Sequence, residues 1–247
     1  MRFRRILTGG KAICLRVPRW ISTEFYKNAR TDLIGFCDAS FEGFGVAFYA
    51  RKYFHENDEG HVVLIRAKAR VVPKSMHKNK IKNQENHNDS IPRLELNAAR
   101  LASKIMREIC RESRIVFEKK LILTDSATIL TWINDPDKKY KTFEAFRLNT
   151  IRELTDTDQW RHCPTKDNPA DHCTHGLNAT DKEKWCQFIS GPAWLSKGED
   201  QWPPVRPLPK RGAKKSEKSL AKGQSQPREP TPDEVGIAAM TPDEGDD

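Results

Sequence analysis

The sequence predicts an α/β protein: a mixed five-stranded sheet flanked by helices, followed by a disordered C-terminal tail. Three observations carry this. Three strand-like runs follow one another closely between residues 31 and 72. Beyond residue 90, runs at helical spacing alternate with two more short strand-like runs. After Trp202 the chain turns to proline and blocks of charge. Only 37% of the 247 residues are hydrophobic and 31% are charged, so part of the chain cannot bury enough apolar surface to fold.

The elements follow in order. Residues 1–30 hold little pattern beyond Ala12–Val17. Leu33–Asp38 is a short apolar run. Phe41–Ala50 is aromatic-rich, with Gly43 and Gly45 where a close backbone approach would need them. Tyr53–Gly60 is a polar turn, and His61–Val72 alternates and is β-branched. Three strands with short links predict an antiparallel meander. Lys74–Ser90 is a long polar loop rich in Lys, Asn and His. Pro92 suits a first helical turn, and Leu94, Ala98, Leu101, Ile105 and Ile109 share one helical face. A helix over Pro92–Arg111 follows. Lys120–Thr124 predicts a strand. Ser126–Asn134 predicts a helix stopped by Asp135-Pro136, and Phe143–Leu154 another. Gln159–Cys163 predicts the last strand. Asn168-Pro169 opens a short helix, and Lys182–Ile189 suits one more.

The net charge is +9, which favours an anionic partner, nucleic acid first. The six cysteines form no CxxC pair, so neither a disulfide scaffold nor secretion is expected. No apolar run is long enough for a membrane helix. The expected setting is intracellular, cytoplasmic or nuclear.

Four acids stand in distinctive contexts: Asp38 and Asp125 at strand ends, Glu95 early in a helix, and Asp171 in a loop entering a helix. Adjacent parallel strands would bring Asp38 and Asp125 to one sheet edge, where ligands bind in such sheets. The crossover helix would lean Glu95 over the same edge. Such a set suits a pair of hard divalent cations, with Asp38 placed to bridge them, and a cation pair suits phosphodiester cleavage. Singly, each acid has a plainer reading. Asp38 and Asp125 suit helix caps, Glu95 a solvated face, and Asp171 a first-turn charge favoured by the dipole.

The motifs resemble the ribonuclease H region of BEL/Pao-type LTR retrotransposon Pol polyproteins. The resemblance rests on Gly35-Phe-Cys-Asp-Ala-Ser40, Lys68-Ala-Arg-Val-Val-Pro73, Ile91-Pro-Arg-Leu-Glu-Leu96, Leu123-Thr-Asp-Ser126, Trp160-Arg-His-Cys-Pro-Thr-Lys-Asp-Asn-Pro-Ala-Asp171 and Gly191-Pro-Ala-Trp-Leu195. It spans roughly residues 13–204. It implies a ribonuclease H-like fold and hydrolysis of the RNA strand of RNA–DNA hybrids with two Mg²⁺ (or Mn²⁺) ions. The implied metal ligands are Asp38, Glu95, Asp125 and Asp171. A reverse transcriptase polymerase domain is an implied partner. Residues 1–30 resemble the connection preceding this domain. That disfavours a transit-peptide reading of the Arg-rich start. The expected domain is 31–196, with 197–247 as the tail. Cellular members carry a loop histidine about ten residues before the last aspartate. Here the nearest is His162, at a predicted strand end, which stands as the candidate catalytic helper. This departure and the long loop before Glu95 leave room for a catalytically inactive nucleic-acid-binding relic or a recruited interaction protein.

Lys138, Lys139, Lys141 and Arg147 flank a helix that could track phosphates. A zinc reading of His162, Cys163, His172, Cys173 and His175 fits no finger spacing. The tail holds a basic block, Lys210 to Lys222, and Thr-Pro-Asp-Glu twice. The chain lacks a Tyr-x-Asp-Asp polymerase motif and an aspartic-protease triplet. It is therefore expected to be a fragment of an element, a processed product or part of an inserted copy.

Overall fold

A continuous buried run, Thr31–Cys37 within Arg30–Ala39, sends side chains to both covered faces of a central strand, and the sheet is built outward from it. The computed structural model describes residues 2–8, 11–17, 29–56, 58–72, 90–178 and 180–204. The expectations for residues 74–89, the basic block and the repeated tetrapeptide lie outside these residues.

The strands are β1 (Arg2–Thr8), β2 (Lys11–Val17), β3 (Arg30–Ala39), β4 (Gly43–Tyr53), β5 (His61–Val71), β6 (Lys120–Thr124) and β7 (Trp160–His162). The helices are α1 (Ser90–Glu112), α2 (Ala127–Asn134), α3 (Thr142–Leu154), α4 (Asp171–His175) and α5 (Lys182–Ser190). β1 and β2 form an antiparallel hairpin. Only the second half of it was legible as Ala12–Val17. The main sheet runs β5-β4-β3-β6-β7. β3, β4 and β5 make the expected antiparallel meander, and β6 and β7 add to it in parallel. The expected mixed five-stranded sheet is therefore present.

Two apolar layers sandwich this sheet. Leu33, Cys37, Val46, Phe48 and Ile122 face α1, α2 and α3, meeting Leu96, Ala99, Ile105, Ile129, Leu148 and Ile151. Ile34, Phe36, Ala47, Tyr49, Leu121 and Leu123 face the opposite way, meeting Cys163, Ala170, Phe188 and Leu195. The period of two in the strands decides which residue belongs to which layer. Gly35 pairs with Phe48, whose ring fills the space a side chain on Gly35 would need.

The domain boundary expected at residue 196 falls inside a packed segment. Arg51 explains why. It is 2% exposed and lies 3.6 Å from Asp32, also 2% exposed. Its Nη2 donates to the carbonyls of Asp58 at 2.9 Å and Lys197 at 3.0 Å. Its guanidinium lies over Tyr53 and faces Trp202. Glu199 accepts from Arg161 at 2.6 Å and from Lys119 at 2.5 Å. Composition alone marked this segment as tail because its partners are far away in sequence.

Burial pushes the Asp32 carboxyl above the ordinary carboxylate range despite bonds from Tyr53 and Lys119 and the charge of Arg51. A buried charge that loses its partner is costly. Arg51→Ala is expected to destabilise the protein by about 3–5 kcal/mol, as reported by urea unfolding midpoints.

Candidate active site

The end of β3 carries the first acid. The parallel register pairs Cys37 with Thr124, so Asp38 and Asp125 each stand one residue beyond a paired position. They stand side by side at the ends of the two strands, with Asp38 still paired to Gly45 of β4. Backbone pairing forces this juxtaposition, whatever the charges prefer.

Glu95 arrives from α1. The helix begins at Ser90, so Glu95 lies in its second turn, slightly deeper than the sequence suggested. Ser126 holds it there. The Ser126 hydroxyl donates to Glu95 Oε2 at 2.6 Å and accepts from the Ile129 amide as the cap of α2. One side chain thus starts a helix and orients an acid.

Asp171 arrives from α4, where it is the first helical residue. Three devices dock this short helix. The buried Asn168 side chain donates to the Cys37 carbonyl at 3.1 Å and accepts from the Ala170 amide at 3.1 Å. Gly45, paired with Asp38, lies under the helix, where an added methyl would collide with the Cβ of Cys173. The Thr174 hydroxyl lies 2.9 Å from both Asp38 Oδ2 and the Asp171 carbonyl. Gly176, at φ 78°, ends the helix in a conformation a side chain would strain.

Asp38 and Glu95 lie in the field of the neighbouring acids. Burial is the main reason Asp38 is raised above the ordinary carboxylate range; the charges of Asp125 and Asp171 add to it, against the Thr174 bond. Burial also raises Glu95, opposed by Ser126 and reinforced by Asp125 and Asp38. Beneath them, burial pushes up the Cys37 thiol, and Asp38, Asp125 and Glu95 push it further. Among the described residues, no lysine or arginine forms an ion pair with Asp38, Glu95 or Asp125. Half-buried carboxylates that repel one another without a balancing cation fit a site for hard divalent ions.

His162, the sequence candidate for a helper, ends β7 opposite Thr124. A second histidine stands at Asp171. His175 Nδ1 lies 3.0 Å from Asp171 Oδ1 and 3.1 Å from Thr174 Oγ1. The i,i+4 spacing from Asp171 could have revealed it once a helix was placed there. Thr174 had no comparable signal, whereas Gly45 was expected at a close backbone approach and Asn168 at the opening of this helix. Cys163 and Cys173 point at the carbonyls of Pro164 and Val46, and His172 packs edge-on against Phe188.

The basic candidates divide. Lys138, Lys139 and Lys141 border a cavity of about 270 Å³ with Arg93, Trp132 and Tyr140. Arg93 sits two residues from Glu95, so this cavity and the acids share α1. Arg147 is engaged within the fold instead. It donates to Asn97 Oδ1 at 2.6 Å and to the Phe143 carbonyl at 3.0 Å, and lies 3.3 Å from the Phe143 ring centre.

A family model described as a Pao retrotransposon-like RNaseH-like domain matches residues 2–126, just over half of the chain. The match includes Asp38, Glu95 and Asp125 and stops short of Asp171. No curated protein matches the sequence. Similar solved structures include RNase H1 from the halophilic archaeon Halobacterium salinarum NRC-1, at 13% identity over 59% of this chain and 95% of that one, with a TM-score of 0.36. Another is LC11-RNase H1 in complex with an RNA/DNA hybrid, at 10% identity over 59% of this chain and 94% of that one, with a TM-score of 0.34.

The raised carboxyls make metal-free stability depend on pH. Because Asp38 binds its proton at higher pH folded than unfolded, stability rises as pH falls through its folded pKa. Glu95 and Asp32 act in the same direction. Glu199 opposes them: burial raises it, but Lys119 and Arg161 outweigh burial and hold it low. Comparison with Asp38→Asn isolates one group. In chelator, the Asn variant is expected to be the more stable at about pH 7, with the gap closing towards about pH 4. Urea unfolding across that range checks it.

Proposed function

The chain belongs to the Pao retrotransposon-like RNaseH-like domain family, and from that premise we propose that it is a type 1 ribonuclease H. It hydrolyses the RNA strand of an RNA–DNA hybrid as an endoribonuclease, with two divalent cations, Mg²⁺ or Mn²⁺. The observation that supports this reading is that carboxylates from β3, α1, β6 and α4 gather around Asp38, which is coupled to Asp125, Asp171 and Glu95.

Asp38 is coupled to Asp125, Asp171 and Glu95 and would serve both cations. Glu95 and Asp125 would help hold one cation, and Asp171 the other. Ser126 and Thr174 hold Glu95 and Asp38 in place through the hydrogen bonds above. Divalent cations held there would supply an activated water and stabilisation of the leaving oxygen. Cleavage leaves a 3′-hydroxyl and a 5′-phosphate. The substrate is chosen through the ribose 2′-hydroxyl, which separates RNA from DNA.

The hybrid's phosphates lie along the lysines of the α2–α3 connection, beside the cavity that shares α1 with Glu95. Arg147 has no part in this, since its guanidinium is held by Asn97 and Phe143. A separate polymerase domain strengthens hybrid binding, because the isolated domain reaches few phosphates. Among the described residues, no helix is long and apolar enough to cross a membrane.

Two measurements test the reading. The purified chain with Mg²⁺ and a labelled hybrid is expected to cut only the RNA strand. Asp38→Asn is expected to slow this on the order of 10³-fold or more, since several kcal/mol of charge stabilisation is lost. Equal cleavage by both proteins would overturn the site. Hybrid binding without cleavage by the wild type would leave a binding relic.

Replacing Lys138, Lys139 and Lys141 together by alanine is expected to weaken hybrid binding regardless of sequence. The salt dependence of log affinity should flatten by about one for each phosphate that is no longer neutralised. An unchanged slope would remove the lysines from the interface.

A further inference from the structure

His175 stands at the acid cluster, and nothing in the four-carboxylate reading uses it. We propose that its imidazole is a third protein ligand at the Asp38–Asp171 position and makes that position select Mn²⁺ over Mg²⁺. This rests on the two-cation reading above and deepens it for one of the two positions.

The geometry is that of a donor set. One donor atom each from Asp38, Asp171 and His175 lie within 4.8 Å of one another. His175 Nδ1 and Asp171 Oδ1 are 3.0 Å apart. Two cis ligands of an octahedral ion with bonds of about 2.1 Å are separated by about 3.0 Å. The imidazole and the carboxylate are thus already spaced as neighbouring ligands of one ion. Trans ligands at that bond length are separated by about 4.2 Å, so a small side-chain rotation brings Asp38 into range.

The helix enforces this spacing. Asp171 and His175 are four apart in α4 and share a face. Thr174 ties that face to Asp38, and Gly176 ends the helix directly after His175. The outer side stays open: the side chains of His175 and Asp171 are 59% and 42% exposed. Waters can complete the coordination there.

The chemistry of the donors separates the two positions. Glu95 and Asp125, with a shared Asp38 oxygen, offer oxygen alone, which suits Mg²⁺. Adding an imidazole nitrogen favours a first-row transition ion, because Mg²⁺ takes oxygen ligands and dehydrates reluctantly. Mn²⁺ accepts both carboxylate and imidazole in octahedral geometry. The site is therefore unequal, with one all-oxygen position and one mixed nitrogen–oxygen position.

The test reads metal binding by the full 247-residue chain, without substrate. Mn²⁺ is titrated and followed by electron paramagnetic resonance, with Mg²⁺ as competitor. Bound Mn²⁺ in the wild type is expected to show electron-spin-echo modulation from a directly bound nitrogen. His175→Ala should remove that modulation and weaken Mn²⁺ binding about tenfold or more, while Mg²⁺ affinity changes less than about twofold. His175 is exposed, so its replacement leaves the core packing untouched. A wild type without nitrogen modulation, or a His175→Ala protein with unchanged Mn²⁺ affinity, would overturn the proposal. Asp38→Asn separates the two levels. If it abolishes Mn²⁺ binding while His175→Ala does not weaken it, the carboxylate site stands and His175 is no ligand. If Asp38→Asn binds Mn²⁺ as the wild type does, the four-carboxylate reading fails as well.

Discussion

The parallel pairing of β3 with β6 is the constraint on which the rest depends. Its register pairs Cys37 with Thr124 and brings Asp38 and Asp125 together at one edge. The ladder's hydrogen bonds and the apolar residues below it stabilise this arrangement. The repulsion at its end is a local cost carried by a well-packed sheet. The Cys37 thiol, buried beneath three acids, registers that concentration of negative charge.

Everything else at the site arranges pieces around this edge. α1 crosses from β5 to β6 and carries Glu95 over it, and Ser126 ties that helix to the turn after β6. α4 is too short to be stable alone. It is placed by Asn168 on the backbone of β3, by Thr174 on Asp38, and by the missing side chain of Gly45. Bonds to β3 thus position the last acid. A shift of β3 would move three of the four acids together.

A second hub lies away from the acids. Arg51 and Asp32 are buried together and gather the polypeptide around Asp58 and Lys197, while Glu199 reaches Lys119 and Arg161. These bonds extend the folded unit through a segment whose composition reads as tail. Polar residues with distant partners are hard to tell from solvated ones when only neighbours in sequence are visible.

The sequence by itself determined the order of the five sheet strands and their helices, though not β1, because periodicity and capping are short-range properties. The predicted strand Lys120–Thr124 is the observed one, and Ser126 caps the helix expected after it. The acids were visible through their places at strand and helix ends. Tertiary structure alone decided which strands are neighbours, and hence that separated acids meet. It also decided that Glu95 lies two residues deeper in α1, that Arg147 is engaged within the fold, and that His175 touches Asp171. The reason is physical. Local preference sets what each segment becomes, whereas side-chain partnership depends on pairing and packing between residues far apart in the chain.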